Sequence, residues 1–282
     1  MTRSRLLLSA ALAVTAATAL AAGPLTTSSQ AEDAGATAAV RLPPTSGVLD
    51  YQLGAAYTPP SDVTLVTRDS TASPEPGKYN ICYVNGFQTQ PGESAYWRDH
   101  RGHLLVQDAS GNPVIDPGWP KEYLLDTSTQ AKRTELASII GAVIDRCADK
   151  GFQAVEIDNL DSYLRARGKL TVNHNLAFAS LLKTRAHDRG LAIGQKNAAE
   201  ESARARGEVG FDFAVSEECH AWDECAAYSD VYGGHVMNIE YDGELRGTFE
   251  DVCDDPQTPA VTTLRDKMLV SPEDGGYVFD HC

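Results

Sequence analysis

Basic residues are scarce in this chain of 282 residues, which has 24 Lys and Arg against 39 Asp and Glu and a formal charge of −15. Affinity for nucleic acid comes mainly from Lys and Arg that displace phosphate counterions, so this composition argues against a nucleic-acid partner. An anionic membrane surface also attracts basic segments and is disfavoured for the same reason. Hydrophobic residues make up 42% of the chain, which excludes a disordered protein and predicts a packed core.

Long apolar segments are also missing. The run Leu6–Leu20 follows two arginines and is shorter than the ~20 residues of a membrane span. A basic start, a short apolar stretch and small residues after it are typical of a secretory signal peptide. The cleavage positions that the sequence allows follow Ala21, Ala22 or Ala31. We therefore expect a signal peptide and processing region over residues 1–31, and no membrane span.

The rest of the chain divides into two parts by composition. Residues 23–47 are rich in Ala, Thr, Ser, Gly and Pro without hydrophobic periodicity. This composition predicts a disordered linker over residues 32–47, after the processing region. Residues 48–282 contain no comparable break, and their number is normal for a single α/β barrel.

The six cysteines are an even number. In an exported protein they predict three disulfides, with fifteen possible connectivities. The spacing indicates two candidate pairs. Cys219–Cys225 would close a short loop, and Cys253–Cys282 would fix the C-terminal end of the chain.

Short apolar runs alternate with helical patterns in the second half of the chain. Helices are expected over Lys132–Asp149 and Asn173–Arg189, because apolar residues recur at helical spacing and a glycine follows each segment. In the first half, the connections are rich in Pro and Gly and too short for full helices. Strands are expected at Asp50–Leu53, Val63–Val66, Tyr79–Val84, Gln153–Asp158, Leu191–Lys196, Phe211–Glu217, His235–Glu240 and Lys267–Val270, with Glu122–Leu125 as a further short candidate.

Eight strands with helices between them favour an α/β protein, a single (β/α)8 TIM barrel in which the early helices are partly replaced by loops. A doubly wound open sheet is the competing architecture. It is disfavoured because no Gly-rich phosphate loop follows any of these strands.

Several catalytic motifs are absent. The sequence has no GxSxG, no HExxH and no CxxC, so neither a serine hydrolase nor a zinc site is indicated. A Ca²⁺ or Mg²⁺ site built from Glu156, Asp158 and Asp161 is an alternative, although Lys196 would compete for the same charge. We expect no metal and no other cofactor.

Carboxylates stand at the carboxyl ends of the second-half strands, where parallel barrels place catalytic residues. Strand alternation puts Glu156 and Asp158 on one side, and a buried Glu156 needs a partner such as Lys196. Asp158 and Glu217 form a pair suited to glycoside hydrolysis, in which one carboxyl protonates the leaving oxygen and the other attacks the anomeric carbon or activates water. The strand pattern does not decide between Glu217 and Glu218.

Aromatic residues make up only 7% of the chain, so their positions are informative. A share of them at the rim of the barrel would offer stacking surfaces for sugar rings, although packing in the core is the more common role. The aromatic residues in or beside predicted loops and strand ends are Trp97, Trp119, Trp222, Tyr83, Tyr163 and Tyr241.

Several segments, in matching order from about Asp50 to Tyr241, resemble the motifs of glycoside hydrolase family 114, the endo-α-1,4-polygalactosaminidase-like family of TIM-barrel enzymes. The segments are DYQL from Asp50, YNICYVN from Tyr79, GFQAVEIDNLDSY from Gly151, AH from Ala186 with GLAIGQKN from Gly190, FDFAVSEEC from Phe211 and IEY from Ile239.

The resemblance implies an enzyme that cleaves α-1,4-linked galactosamine polymers, with Asp158 as the nucleophile and Glu217 as the general acid/base. Its partner would be a polycationic galactosamine-containing polysaccharide, and we expect a secreted monomer. Further positions around the cleft that the resemblance assigns to substrate binding are Gln52, Asp69, Asn85, Glu156, Asp161, Lys196, Asn197, Glu240 and Tyr241.

The expected mechanism is retaining, and it requires a raised pKa for Glu217, through burial or the Asp158 charge. The alternatives are a carbohydrate-binding barrel without catalysis, a hydrolase of another glycan and a metal-dependent hydrolase. If the acidic charge serves a cationic substrate, it should gather at the rim; an acidic surface that only confers solubility is the other interpretation. The rim carboxylates in question are Glu156, Asp158, Asp161, Glu217, Glu218 and Glu240.

Overall fold

The computed structural model describes residues 39–282. The predicted signal peptide and the first part of the predicted linker lie outside these residues. Residues 39–47, also expected to be disordered, pack against the barrel. The Tyr79 hydroxyl donates a hydrogen bond to the Arg41 carbonyl at 2.6 Å, and His235 Nδ1 lies 2.9 Å from the Pro43 carbonyl. Hydrogen bonds from the barrel therefore order a segment whose composition alone is that of a linker.

Nine strands in the described part of the chain form one sheet in chain order. Strands β1 to β8 pair in parallel, and β9 pairs antiparallel with β8. Contact between β1 and β8 curls the sheet into a nearly closed barrel, which confirms the predicted TIM barrel. The strands are β1 Val48–Gln52, β2 Val63–Asp69, β3 Tyr79–Asn85, β4 Ala154–Asp158, β5 Ala192–Lys196, β6 Phe213–Glu217, β7 Val236–Tyr241, β8 Val261–Arg265 and β9 Phe279–His281.

Helices surround the later strands. The α-helices are α1 Ser94–Arg101, α2 Gln130–Lys150, α3 Val172–Asp188, α4 Ser202–Arg204, α5 Cys225–Tyr232 and α6 Phe249–Asp254, with 3-10 turns at Gly102–Leu104, Leu160–Leu164 and Ala199–Glu201 and a π turn at Ala205–Val209. Helices α2 and α3 confirm the two predicted helices. Helix α2 starts where the Thr129 side chain accepts a hydrogen bond from Lys132 N, and it ends at Gly151 with a φ of 92°. Residues 53–62 and 70–78, both inside the described region, connect the first three strands without a helix, as expected.

The eighth strand is not where the sequence predicts it. Lys267–Val270 forms a turn in which Leu269 has a φ of 52°, and the strand is Val261–Arg265, whose residues are all buried. Its sequence, VTTLR, looks too polar for a buried strand. It is buried because its polar groups are satisfied: Arg265, for example, donates a hydrogen bond to Asp50 on β1 at 3.1 Å. This bond also joins β8 to β1, the last and the first parallel strands of the sheet.

Two apolar layers hold the barrel together. Side chains such as Leu65, Phe213 and Met237 fill the interior, while side chains such as Ile144 and Leu182 pack between sheet and helices. A Cβ atom at Gly194 would lie 2.4 Å from the Phe213 ring. Glycine is required there because the ring occupies the space that any side chain would need.

Three disulfides cross-link the fold and include both pairs singled out from the sequence. Cys82–Cys147 joins β3 to α2, Cys219–Cys225 closes the loop after β6, and Cys253–Cys282 ties α6 to the residue after β9. Such cross-links are typical of proteins from oxidising compartments. Among residues 39–282, no helix has the length and apolar character needed to cross a membrane.

Candidate active site

The carboxyl ends of β4, β5 and β6 bring three ionisable side chains together. Asp158, Lys196 and Glu217 are the last residues of these neighbouring strands. Lys196 Nζ lies 3.8 Å from Asp158 Oδ1 and 3.2 Å from Glu217 Oε2. One ammonium group therefore contacts both carboxylates predicted to be catalytic.

Each of these three strands ends in a left-handed turn. The residues that follow, Asn159, Asn197 and Glu218, have φ angles of 70°, 50° and 62°. Asparagine tolerates this conformation better than most residues, whereas a glutamate there is uncommon. The turns end the three strands, whose last side chains meet at the Lys196 ammonium.

These turns also separate the two adjacent glutamates that the sequence leaves undecided. Glu217 contacts Lys196 in the cleft, whereas Glu218 lies 3.1 Å from Nζ of the exposed Lys267 at the rim. Of the two glutamates, Glu217 is therefore the one that shares the Lys196 ammonium with Asp158.

Glu156 lies beneath the pair, with no exposed surface. Its Oε1 accepts a hydrogen bond from the Tyr51 hydroxyl at 2.6 Å and lies 3.3 Å from Lys196 Nζ, so the predicted partner is present. Burial raises the pKa of Glu156 to about 7, although the Lys196 ammonium and the Tyr51 hydroxyl oppose the shift. Its other oxygen has no hydrogen-bond partner in the described part of the protein.

Asp158 is held by two donors besides Lys196. The Tyr83 hydroxyl donates to Oδ2 at 2.6 Å, and the backbone N–H of Asn159 donates to Oδ1 at 2.8 Å. Burial raises the pKa of Asp158; the Lys196 ammonium opposes the shift and the Glu217 charge reinforces it.

Glu217 has the opposite electrostatic balance. Burial alone would raise the pKa of Glu217, but the Lys196 ammonium and hydrogen bonds from the Tyr241 hydroxyl and the Asn197 amide lower it to about 2. The Asn197 amide lies 2.9 Å from Glu217 Oε2. The raised pKa expected for Glu217 is therefore not found in the free protein, because three donors converge on its carboxylate.

Lys196 stays charged despite its burial. Burial lowers the pKa of its amine, but the charges of Asp158, Glu217 and Glu156 raise it well above the usual value. Lys196 is thus a fixed cation at the centre of three carboxylates. The alternative metal site would need the carboxylate oxygens of Glu156 and Asp158, which Lys196 already contacts. No group of three or more His, Cys, Asp or Glu side chains in residues 39–282 is arranged to hold a metal ion.

A cleft of about 540 Å³ opens above this floor, and a depression of about 290 Å³ adjoins it. Glu217, Asn197 and Asp161 line both. Each also has an exposed tryptophan: Trp119, 55% exposed, in the cleft and Trp222, 68% exposed, in the depression. The cleft and the depression therefore meet at Glu217, and each offers an exposed aromatic surface.

The connection between β3 and α2, residues 86–129, forms one wall of the cleft. Arg165 neutralises two carboxylates at this wall: its Nε donates to Asp116 Oδ2 at 2.6 Å, and its terminal nitrogens donate to both oxygens of Asp161 at 2.7 and 3.0 Å. Glu122–Leu125, the further strand candidate, lies in this connection and forms isolated bridges rather than a strand of the barrel.

Most of the residues assigned to substrate binding lie at the cleft. Asn85 and Glu156 lie behind its surface, where Asn85 holds Glu122 and Asn159 and Glu156 supports Lys196. The residues that line the cleft together with Asp158 and Glu217 are Asp69, Asp161, Lys196, Asn197 and Tyr241.

Gln52 and Glu240 do not line the cleft, contrary to expectation. Strand alternation explains both positions, because the inward-facing residues of β1 and β7 are their neighbours Tyr51 and Tyr241. Gln52 instead donates to Asp50 Oδ2 at 2.8 Å, and Glu240 Oε1 accepts hydrogen bonds from Asn238 and from the backbone of His220, both at 2.9 Å. Their positions support strand ends and a loop rather than substrate.

Several residues at the site escape the sequence analysis. Tyr51 lies at an inward position of β1. Tyr83, which the sequence indicates only as an aromatic residue at a strand end, lies at an inward position of β3 and contacts Asp158. Strict alternation along the two strands is the pattern that could have indicated both positions. Asp116, Glu122 and Arg165 lie in irregular segments, where no periodicity indicates which side chains turn toward the cleft.

Residues 29–282 match the model of glycoside-hydrolase family GH114. The chain belongs to this family. A search of curated protein sequences finds no match.

The fold of this glycoside hydrolase is shared by solved structures, among them the following two. The first, Ega3 from Aspergillus fumigatus in complex with galactosamine, has a TM-score of 0.68 and 22% sequence identity, and the match covers 87% of this chain and 99% of that one. The second, the glycoside hydrolase domain of PelA from Pseudomonas aeruginosa, has a TM-score of 0.56 and 16% identity over 82% of this chain and 97% of that one. Both match nearly their full length, as expected for a single barrel domain.

Proposed function

We propose that this GH114 member is a secreted, retaining hydrolase of α-1,4-linked galactosamine-containing polysaccharide. The observation that carries the proposal is the pair Asp158 and Glu217, which share the Lys196 ammonium at 3.8 and 3.2 Å. Two carboxyl groups of a retaining enzyme stand ~5–5.5 Å apart, closer than the ~6.5–9.5 Å of an inverting pair. A single ammonium in contact with both favours the closer arrangement.

In the first step, an Asp158 oxygen attacks the anomeric carbon while Glu217 gives its proton to the departing glycosidic oxygen. The bond between the anomeric carbon and that oxygen breaks, and a glycosyl ester of Asp158 forms. In the second step, Glu217 takes a proton from water, which attacks the anomeric carbon and releases Asp158. The Tyr83 hydroxyl, 2.6 Å from Asp158 Oδ2, orients the nucleophile in both steps.

The proton that the first step needs must move when substrate binds. Asp158 and Glu217 titrate as a pair, and in the free protein a single proton favours Asp158, whose pKa is raised, over Glu217, whose pKa is lowered. A sugar in the cleft displaces water from Glu217 and places the glycosidic oxygen beside it. Loss of this water raises the pKa of Glu217, so the proton that the pair holds moves to Glu217 and leaves Asp158 ionised for the attack.

The charge of the site supports a cationic substrate. The depression beside Glu217 is lined by Glu200 and Glu224, and neither forms an ion pair with a basic residue within 4.0 Å among residues 39–282. Burial raises the pKa of Glu224, and the nearby Glu200 charge adds to the shift. Ammonium groups of galactosamine would relieve this repulsion. Galactosamine is also the molecule bound in the Ega3 structure.

The experiment is digestion of α-1,4-linked galactosamine polymers that are fully, partly or not de-N-acetylated, with the products identified by mass spectrometry. We expect the wild type to release oligomers from the de-N-acetylated polymers, and Asp158→Asn and Glu217→Gln to release them at least about 100-fold more slowly at matched concentration. Asp230→Asn, at an exposed position of α5, is the matched control and should act like the wild type. Binding of the polymer without release of any oligomer by the wild type would show a carbohydrate-binding barrel instead.

Two further measurements test the mechanism. NMR of the first-formed reducing end should show the α anomer, because two inversions retain the configuration. A trapped glycosyl ester should map to Asp158. An ester on Glu217 would reverse the two roles, and a β anomer would show an inverting enzyme.

A further inference from the structure

Glu122 is a buried carboxyl group at the cleft that the mechanism above does not use. Only 7% of the residue is exposed, yet it lines the cleft together with Asp158 and Glu217. Asn85 donates a hydrogen bond to its Oε2 at 3.0 Å. Its Oε1 accepts no hydrogen bond from the described residues, so one carboxylate oxygen is free to meet a ligand.

The backbone around Glu122 is fixed from both sides. Its N–H donates to the Trp119 carbonyl at 2.9 Å, and its own carbonyl accepts from Asp116 N at 3.0 Å. Asn85, which holds the carboxylate, also accepts a hydrogen bond from Asn159 at 3.0 Å. Since Asn159 directly follows Asp158, the free oxygen of Glu122 is set at a defined place relative to the proposed nucleophile.

Glu122 differs from its acidic neighbours in lacking a cation. Arg165 pairs with Asp116 and Asp161, and Lys196 contacts Asp158 and Glu217. No basic side chain among residues 39–282 lies within 4.0 Å of the Glu122 carboxylate. A buried carboxylate is costly unless a donor or cation meets it, and Glu122 lines the cleft, where a ligand can supply one.

We propose that Glu122 is a specificity-determining residue that accepts a hydrogen bond from the 2-ammonium group of the galactosamine unit bound beside Asp158. This inference rests on the proposed function and assigns the choice between free and N-acetylated amine to one residue. An acetamide at that position offers one neutral N–H and a bulky acyl group, so it would leave the carboxylate without a charge partner.

The ionisation state of Glu122 agrees with this role. Burial raises the pKa of Glu122 to about 7; the Asn85 hydrogen bond and the Arg165 charge oppose the shift, and the charges of Asp158 and Asp116 reinforce it. At neutral pH the group is therefore partly protonated in the free protein. An ammonium group would favour its ionised form, and substrate binding would release a proton from it.

The test compares kcat/KM of the wild type and Glu122→Gln on fully de-N-acetylated and fully N-acetylated polymers. Glutamine keeps the shape and the contact with Asn85 but removes the charge. We expect a loss of about 10- to 100-fold on the free-amine polymer, mainly through KM, since a hydrogen bond to a charged group contributes ~1.5–3 kcal/mol. On the acetylated polymer, we expect little change. Glu135→Gln, at an exposed position of α2, is the control and should leave both values unchanged.

Equal losses on the two polymers would show that Glu122 only supports the wall, and no loss on either would also overturn the inference. If the wild type cleaves neither polymer, the proposed function itself fails, so the two failures are distinct. Should Glu122→Gln not fold, the wild-type pH dependence decides. KM for the free-amine polymer should fall as the pH rises toward about 7, and KM for the acetylated polymer should not; parallel behaviour would contradict the inference.

Discussion

The floor and the walls of the cleft are built in different ways. The floor consists of the strand residues Glu156, Asp158, Lys196 and Glu217, and Lys196 contacts each of the three carboxylates directly. The walls are loops with exposed aromatic groups, Trp119 on residues 86–129 and Trp222 after β6. The sheet fixes the floor, so substitutions there should affect chemistry and folding. We expect the aromatic groups of the walls to contact sugar units away from the bond that breaks, so substitutions of these groups should affect binding.

The largest expected effect is on turnover at the floor. Glu217→Gln keeps the shape of the side chain but cannot transfer a proton, so we expect kcat to fall by about 10²–10⁴-fold. Steady-state kinetics on the free-amine polymer measure it. A comparable loss in Glu218→Gln, one residue further along the chain, would contradict the assignment of the acid/base to Glu217.

The second effect is on stability. Lys196→Met leaves three carboxylates in the floor without their cation, and removal of one partner of a buried ion pair costs about 3–5 kcal/mol in the free energy of unfolding. Lys267→Met, at a lysine whose side chain is 54% exposed, is the comparison and should cost at most ~1 kcal/mol. Denaturant titration of both variants checks the difference. Similar losses of unfolding free energy in the two variants would show that the buried ion pairs of Lys196 stabilise the fold no more than an exposed lysine does.

The third effect is on the pH dependence of stability. The pKa of Glu156 is raised to about 7 in the folded protein from its usual 4.5, so between these values the folded state binds more protons than the unfolded state. The contribution of Glu156 to stability is therefore full below pH ~4.5 and is lost as the pH rises through about 7. Unfolding followed over this range in wild type and Glu156→Gln measures it. An unchanged slope in the variant would argue against the raised pKa.

The fourth effect is at the walls. Trp119→Ala and Trp222→Ala each remove a stacking surface that contributes ~1 kcal/mol, so we expect KM to rise by about fivefold with kcat nearly unchanged. Trp97→Ala should instead destabilise the fold, because Trp97 is buried. If the wall variants lower kcat more than they raise KM, the walls take part in positioning the reacting sugar.

The smallest effect is of salt. If the unpaired carboxylates of the depression attract a polycation, KM should increase with ionic strength, since exposed charges are screened beyond ~10 Å at 0.1 M salt. Glu200→Gln should weaken this dependence. A KM independent of salt would leave those acidic residues with a role in solubility only.

The floor could be predicted from the sequence, and the walls only in part, through the two aromatic residues Trp119 and Trp222. Asp158, Lys196 and Glu217 each end an apolar run, and parallel strands bring such ends together. The same alternation, applied strictly, would have excluded Gln52 and Glu240. Glu122 and Arg165 lie in segments with no period, so only tertiary contacts show that they face the cleft.

The missed eighth strand has a similar cause. Val261–Arg265 is polar in sequence, yet it is buried because Arg265 on β8 donates a hydrogen bond to Asp50 on β1. The more apolar Lys267–Val270 is a turn. Hydrophobicity predicts a strand only where apolar contacts, rather than hydrogen bonds, account for its burial.

The order of the floor residues along the chain has a consequence for synthesis on the ribosome. Glu156, Asp158 and Lys196 are translated before Glu217 and Tyr241, so a nascent chain that ends after β5 already contains an ammonium with two carboxylate partners. The later strands add the remaining carboxylate and the hydroxyl that binds it. The cleft thus acquires its proposed acid/base only when β6 and β7 join the sheet, and a truncated translation product carries no complete pair.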